Sequence, residues 1–284
     1  MSQELSIPNL FHVKSKIAVV SGGGSGIGKM IASALVANGA KVYIAARKES
    51  QLKAAADELN ASGPGKCHYI VADLGSKAGC DALVAEIKKR ESKIHILVNN
   101  SGATWGASWD NFPEKEGWDR VLALNVKSIF YMTSGLSDLL EKDSTSQDPA
   151  RVINISSVAG VSAHAEGSSV ADAGMGLWSY NTSKAAVNHL TSTLAVTLAK
   201  RYVTVNAILP GVFPSKMTAF GFKTTGEKKM AEGQPMGRVG STRDMAGIAL
   251  FLCSPASAHI TGQHIMIDGG ATLFGGKVSP GARL

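Results

Sequence analysis

Apolar runs of strand length alternate with longer stretches of helical periodicity along nearly the whole chain. The clearest instance is "KIAVVSGGGSGIGKMIASALVANGAKVYIAARK". Ile17 to Val20 is a short apolar run that predicts a buried strand, and a glycine-rich turn follows it. An amphipathic pattern then predicts a helix stopped at Gly39, and Lys41 to Ala45 predicts a second strand. Repetition of this strand–helix order predicts an α/β fold of the Rossmann type, a doubly wound parallel sheet flanked by helices. No Pro/Ser-rich linker, low-complexity tract or internal repeat marks a boundary. A single domain is expected over residues 1–284, with its core at 15–272 and short tails at either end.

The glycine turn carries the first chemistry. Gly22, Gly26 and Gly28 stand as G-x-x-x-G-x-G, with Ser25 and Ile27 between them, and depart from the commoner G-x-G-x-x-G spacing. Glycine tolerates positive φ and lets backbone N–H groups and a helix N-terminus approach a pyrophosphate without a Cβ in the way. Between a strand and a helix, this turn predicts a dinucleotide phosphate site. An acid at the end of the second strand would bond a free ribose 2′-hydroxyl and repel a 2′-phosphate. Here the chain reads Ala45, Ala46, Arg47, Lys48. Two cations at that place favour NADPH, with Arg47 as the main contact; the other reading is a solvated pair of cations at a strand end.

Composition narrows the classes. A net charge of +7 would suit nucleic acid, but the basic residues are dispersed and no basic run interleaves with aromatics. An anionic small molecule accounts for the charge equally well. Cys67, Cys80 and Cys253 are odd in number and lack metal spacing, and the seven histidines form no H-x-x-x-H cluster, so no metal site is expected. No window approaches roughly 18 uninterrupted apolar residues, and the opening "MSQELSIPNLFHVKSK" lacks a signal-peptide core, so a soluble cytoplasmic protein is expected.

In "WSYNTSKAAVNHL" Tyr180 stands four residues before Lys184, one helical turn away. Such a pair is either an ordinary surface contact or catalytic hardware. A phenol of pKa near 10 works as an acid or base near neutrality only if its anion is stabilised, and a fixed ammonium in a half-dry cleft provides that.

The ordered set "SGGGSGIG", "VADL", "LVNNSG", "LNV", "INISS", "YNTSK" and "LPGVFPSKM" resembles the short-chain dehydrogenase/reductase family over residues 15 to 272. Within it, "PARVINISSVAG" and "PMGR" look most like NADPH-dependent 3-oxoacyl reductases of the rhamnolipid-pathway type. The resemblance implies a catalytic tetrad at Asn125, Ser157, Tyr180 and Lys184. Tyr180 would protonate the substrate oxygen and Ser157 would hydrogen-bond it. Lys184 would lower the Tyr180 pKa and hold the nicotinamide ribose, and Asn125 would hold a water that resupplies protons, unless it merely bonds a backbone carbonyl. It further implies Asp73 and Leu74 at the adenine edge, Asn99 bracing the sheet, and Gly102 allowing close backbone approach. Pro210, Gly211 and Phe213 would stand beside the nicotinamide, with Ser215 where the family has a phosphate-contacting threonine. Ser25 departs from a frequent arginine, which leaves the 2′-phosphate to Arg47 and Lys48. A homo-tetramer is the family expectation.

The stretch "VAGVSAHAEGSSVADAGMGLWS" is about ten residues longer than the family's usual spacing. It reads either as a mobile active-site rim with an apolar tip at Met175, Leu177 and Trp178 or as an idle surface insertion. It also places Ser168 and Ser169 as rivals to Ser157, which its strand-end context favours; Ser156 is expected to point inward. Trp105, Trp109, Phe213, Met217, Phe220 and Phe222 follow strands, and line an apolar pocket or fill core edges.

The favoured function is NADPH-dependent reduction of a ketone or 3-oxoacyl group to a secondary alcohol, with an apolar small-molecule carbonyl compound as the expected substrate. Alternatives are an alcohol, polyol or steroid dehydrogenase working oxidatively and a non-catalytic NADP(H)-binding sensor; an enoyl reductase is disfavoured by the three residues between Tyr180 and Lys184. In a eukaryote, Ala282-Arg283-Leu284 would resemble a peroxisomal address and point to a fatty-acyl carbonyl.

Overall fold

The computed structural model describes residues 4–166 and 174–274. Ser168, Ser169 and the terminal tripeptide lie outside the described residues. Seven strands form one sheet: β1 Ile17–Ser21, β2 Lys41–Ala46, β3 Lys66–Val71, β4 Ile96–Asn99, β5 Ala150–Ile155, β6 Val203–Pro210 and β7 His264–Ile267. Their order is β3-β2-β1-β4-β5-β6-β7, and every pairing is parallel. The chain runs outward from β1 to β3, then returns to the other side of β1 for β4. The strand order therefore reverses between β1 and β4, where their carboxyl ends leave a crevice.

The sheet's burial explains its composition. β4, β5 and β6 are buried at every residue, so they read as largely apolar runs whose polar members, Asn99, Arg151, Asn154, Thr204 and Asn206, are buried too, while β3 and β7 at the edges alternate with exposed positions. Eleven α-helical segments surround it among the described residues. After the short α1 (Ile7–Leu10), α2 (Gly26–Ala37) and α3 (Glu49–Ser62) cover one face together with α11 (Thr242–Cys253), through Ile31, Leu35, Leu52, Leu59, Met245 and Leu252. The opposite face carries α4 (Lys77–Arg90), α6 (Ser128–Gly135), α7 (Ser137–Glu141) and α8 (Trp178–Ala199), through Leu83, Ile87, Met132, Leu140 and Val187. α5 (Arg120–Leu122) sits between two π-helical stretches, Glu114–Asp119 and Ala123–Lys127, upstream of α6. α9 (Ala219–Thr224) and α10 (Glu227–Glu232) follow β6 above the carboxyl end of the sheet. Among the described residues no helix is long and apolar enough to cross a membrane.

Candidate active site

The glycine turn closes β1 onto α2. Gly22 and Gly26 adopt φ of +67° and +52°, conformations that residues with a Cβ resist. A Cβ on Gly28 would stand 2.4 Å from Asn100 Nδ2 and 2.5 Å from the Gly22 carbonyl, so this glycine lets helix and turn pack. Ser25 makes no side-chain cap of α2, which leaves the helix's first N–H groups facing outward. The turn is held from two sides. Gln51 Nε2 donates to Gly24 O at 3.0 Å, and Asn100 Nδ2 donates to Ser21 O at 2.9 Å.

Above the turn lies a cleft of about 410 Å³. Gly22, Ser25, Gly26, Ile27, Arg47, Lys48, Asp73, Leu74, Gly102, Ser157, Tyr180, Lys184, Pro210, Gly211, Phe213 and Ser215 all line it. Arg47 and Lys48 are exposed there and make no ion pair among the described residues. A dinucleotide fits this lining: a turn without Cβ groups and with outward N–H groups suits a pyrophosphate, and two unpaired cations suit a further phosphate.

Three expected residues stand behind the cleft. Gly28 packs beneath the turn, as described. Asn99 is buried in the sheet, where its Nδ2 donates to Asn154 Oδ1 at 2.9 Å and Thr133 Oγ1 at 3.2 Å; this is the bracing contact, while its neighbour Asn100 lines the cleft. Strand alternation separates the two asparagines, and the second gives no cofactor signal in sequence. Asn125 lies in the π-helical stretch. Its Oδ1 accepts from Ala103 N at 2.8 Å, and its Nδ2 donates to Ala103 O and Ser183 Oγ, both at 2.9 Å. Through these bonds the Asn125 amide braces the loop after β4 against α8.

The remaining three meet where β5 ends against α8. Gly160 permits the approach, since a Cβ there would fall 2.6 Å from the Lys184 carbonyl carbon. Ser156 Oγ donates to Lys184 O at 3.0 Å and points inward, while Ser157 lines the cleft. Ser157 Oγ accepts from Ala159 N at 3.1 Å, which leaves its own O–H proton free to donate. Lys184 is 5 % exposed; its Nζ donates to Ile155 O at 2.8 Å and lies 5.6 Å from the Tyr180 ring centre. Burial pushes Lys184 down to about 8. Burial also pushes the Tyr180 phenol up, and the Ser157 hydroxyl pulls it partly back. The expected lowering of Tyr180 by Lys184 is therefore not what balances this phenol: desolvation dominates, and the hydroxyl opposes it.

Ser157, Tyr180, Gly211, Met217 and Thr218 also line a second cavity of about 800 Å³, which opens away from the glycine turn. Of the aromatic and sulfur-bearing residues expected in a pocket, Phe213 lines the first space and Met217 both, while Trp105, Trp109, Phe220 and Phe222 line neither. Trp109 instead meets Trp178 edge-on at 5.2 Å, and Trp178 meets Phe112 at 5.5 Å. Nearby, Gly176 N donates to Ala107 O and Ala107 N to Gly176 O, at 2.9 and 3.3 Å. The carboxyl end of the long insertion is thus clasped, and is no loose apolar tip; Leu177 is buried against the second cavity. Thr218 is a further residue without a sequence signal: its hydroxyl donates to Phe213 O at 2.7 Å and accepts from Ser215 N at 2.9 Å, which shapes the turn after β6.

A family model described as enoyl-(acyl carrier protein) reductase matches residues 22–272. The rhamnolipids biosynthesis 3-oxoacyl-[acyl-carrier-protein] reductase of Pseudomonas aeruginosa is 40% identical over 267 residues, covering 93% of this chain and 98% of that protein. A 3-oxoacyl-[acyl-carrier-protein] reductase of Synechocystis is 34% identical over 262 residues, covering 92% and 98%. Among solved structures, the Pseudomonas aeruginosa RhlG/NADP active-site complex superposes with a TM-score of 0.85 at 40% identity, covering 92% of this chain and 98% of that one. With the seven-stranded parallel sheet, the glycine turn and the Ser157, Tyr180 and Lys184 grouping, these matches establish that the chain belongs to the short-chain dehydrogenase/reductase family of oxidoreductases.

Proposed function

We propose that this protein is an NADPH-dependent reductase of a ketone or 3-oxoacyl carbonyl, giving a secondary alcohol. The observation that carries this reading is the shared wall: Ser157 and Tyr180 face both the dinucleotide-sized cleft and the second cavity. Relatives named as 3-oxoacyl reductases and a neighbour solved with NADP support it. The cofactor supplies the hydride when bound.

The chain's own residues do the rest. Ser157, its acceptor side engaged by Ala159 N–H, donates to the substrate oxygen and stabilises the negative charge that develops there. Tyr180 delivers its phenolic proton to the same oxygen; a phenol held above its ordinary value is fully protonated at neutral pH, as a donor must be. Lys184 uses one N–H on Ile155 O and keeps two for ribose hydroxyls near Gly102, whose missing Cβ would lie 3.7 Å from Nζ. Asn125 positions Ala103 and Ser183, and through Ser183 the Tyr180 carbonyl at 2.7 Å. Two hydroxyl donors converging on one wall suit a carbonyl oxygen better than an olefin, which favours carbonyl over enoyl reduction.

The test is Tyr180→Phe against a panel of ketones and 3-oxoacyl thioesters, followed by NADPH absorbance. Turnover should fall by roughly 10²-fold or more while NADPH binding persists. Reduction at the wild-type rate would refute the mechanism. The oxidative reading is checked by running the matching alcohols with NADP⁺ at the same pH.

A further inference from the structure

Gln234 follows α10 and lines the second cavity while only 7 % exposed. Its backbone is fixed on both sides. Gln234 N donates to Ala231 O at 2.9 Å, Gly237 N donates to Gln234 O at 2.8 Å, and Pro235 restricts it further. Its side-chain amide, by contrast, makes no hydrogen bond among the described residues. The buried amides of Asn99, Asn125, Asn154 and Asn206 are all engaged with protein partners. Asn188 shares the lack through its Oδ1, but it lines neither cavity. The Gln234 amide is not sealed away from the cavity, so solvent or a ligand there is its partner, and Gln234 borders the space that Ser157 and Tyr180 also face.

We infer that Gln234 is a specificity-determining residue that hydrogen-bonds a second, uncharged oxygen of the substrate, at a point on the molecule apart from the reacting carbonyl. The charge of the lining sets the class. No lysine or arginine lines this cavity among the described residues, and its titratable members other than Tyr180, namely His164 and Glu166, are exposed. A carboxylate at that point would meet no fixed cation, whereas an ester, thioester, amide or hydroxyl oxygen would find an amide that can donate or accept. The apolar side chains Val158, Val161, Leu177 and Met266 surround the remainder of the ligand. The substrate is thus a bifunctional ketone with an apolar body, an inference that rests on the second cavity being the carbonyl site.

The test is calorimetric binding of ethyl 3-, 4- and 5-oxooctanoate, with 4-octanone as the monofunctional control, to the NADP⁺-loaded protein and to Gln234→Leu. Gln234→Met serves as a second apolar variant of similar length, and thermal unfolding verifies that each is folded. Both variants should bind at least one keto ester roughly tenfold more weakly and 4-octanone within about twofold of wild type, the scale of one neutral hydrogen bond. Equal losses for keto esters and octanone, no loss for any ligand, or failure of every keto ester to bind the wild type would overturn the role of Gln234. A wild type that binds a keto ester through Gln234 but does not reduce it with NADPH would refute the reductase reading and leave this contact standing.

Discussion

Replacing Lys184 by methionine should make the protein more stable while abolishing its chemistry. The ammonium is buried at 5 % exposure, and among the described residues it has Ile155 O as its one hydrogen-bond partner and no carboxylate in contact. Burial lowers it from 10.5 to about 8. At about 1.4 kcal/mol per pH unit, that gap means the folded state bears a cost on the order of 3 kcal/mol for holding the charge. Methionine removes this cost but leaves the Ile155 carbonyl unpaired, a loss of about 1–2 kcal/mol, so a net gain of about 1–2 kcal/mol is expected at pH 7. The sign follows from linkage. The unfolded lysine holds its proton up to pH 10.5 and the folded one only to about 8, so the cost is complete below pH 8 and vanishes as pH rises through 10.5. Urea unfolding of wild type and Lys184→Met at equal protein concentration, across pH 7 to 9.5, reads both the offset and its slope. A variant less stable than wild type at pH 7, or an offset that does not shrink with pH, would refute the assignment of the shift to uncompensated burial.

The same titration predicts the pH profile: kcat/KM for NADPH-dependent reduction should fall above about pH 8 as Lys184 loses its charge, and a flat profile to pH 9.5 would exclude Lys184 as the limiting group. Arg47→Ala should raise the KM for NADPH roughly 10- to 100-fold and that for NADH within about threefold, since a charge-assisted bond to the 2′-phosphate is at stake; equal changes would remove Arg47 from that role. Gly28→Val should abolish dinucleotide binding or folding, because a Cβ already lies 2.4 Å from Asn100 Nδ2, and near-normal fluorescence titration with NADPH would contradict the packing. Phe130 and Val196 are exposed on α6 and α8, and a homo-tetramer that covers them is expected; light scattering that returns a monomer would count against it.

The sheet was legible because parallel strands buried on both faces have little choice of composition. β1, β4, β5 and β6 had to be mostly apolar, and the glycines had to stand where helix and turn pack, as the space around Gly28 demonstrates. Tyr180 and Lys184 were legible for a related reason: a spacing of four on one helix puts both side chains on one face whatever the rest of the fold does. What escaped depends on distances between segments far apart in the chain. Asn99 and Asn100 are neighbours with opposite destinations, one in the sheet and one at the glycine turn, and only the strand's facing separates them.

The sign of the Tyr180 shift escaped for a deeper reason. Spacing reports that an ammonium is near a phenol; it does not report how much water either has lost. In the folded protein both groups are driven toward their neutral forms, Tyr180 upward and Lys184 downward, so the pair is poised by desolvation and depends on Ser157 for the opposing pull. Such a site has a phenol that keeps its proton until a substrate oxygen accumulates charge beside it, and a lysine whose charge is marginal near pH 8. Gln234 extends the same logic to binding: its value as a recognition group comes from facing a cavity without a protein partner, a property that no residue carries in its own identity. Two sets of polar groups can therefore be told apart. Asn99, Asn125 and Asn154 are satisfied within the protein and hold the scaffold, while Ser157, Tyr180, Lys184 and Gln234 retain bonding capacity toward a cavity, and it is this unsatisfied set that marks where a substrate belongs.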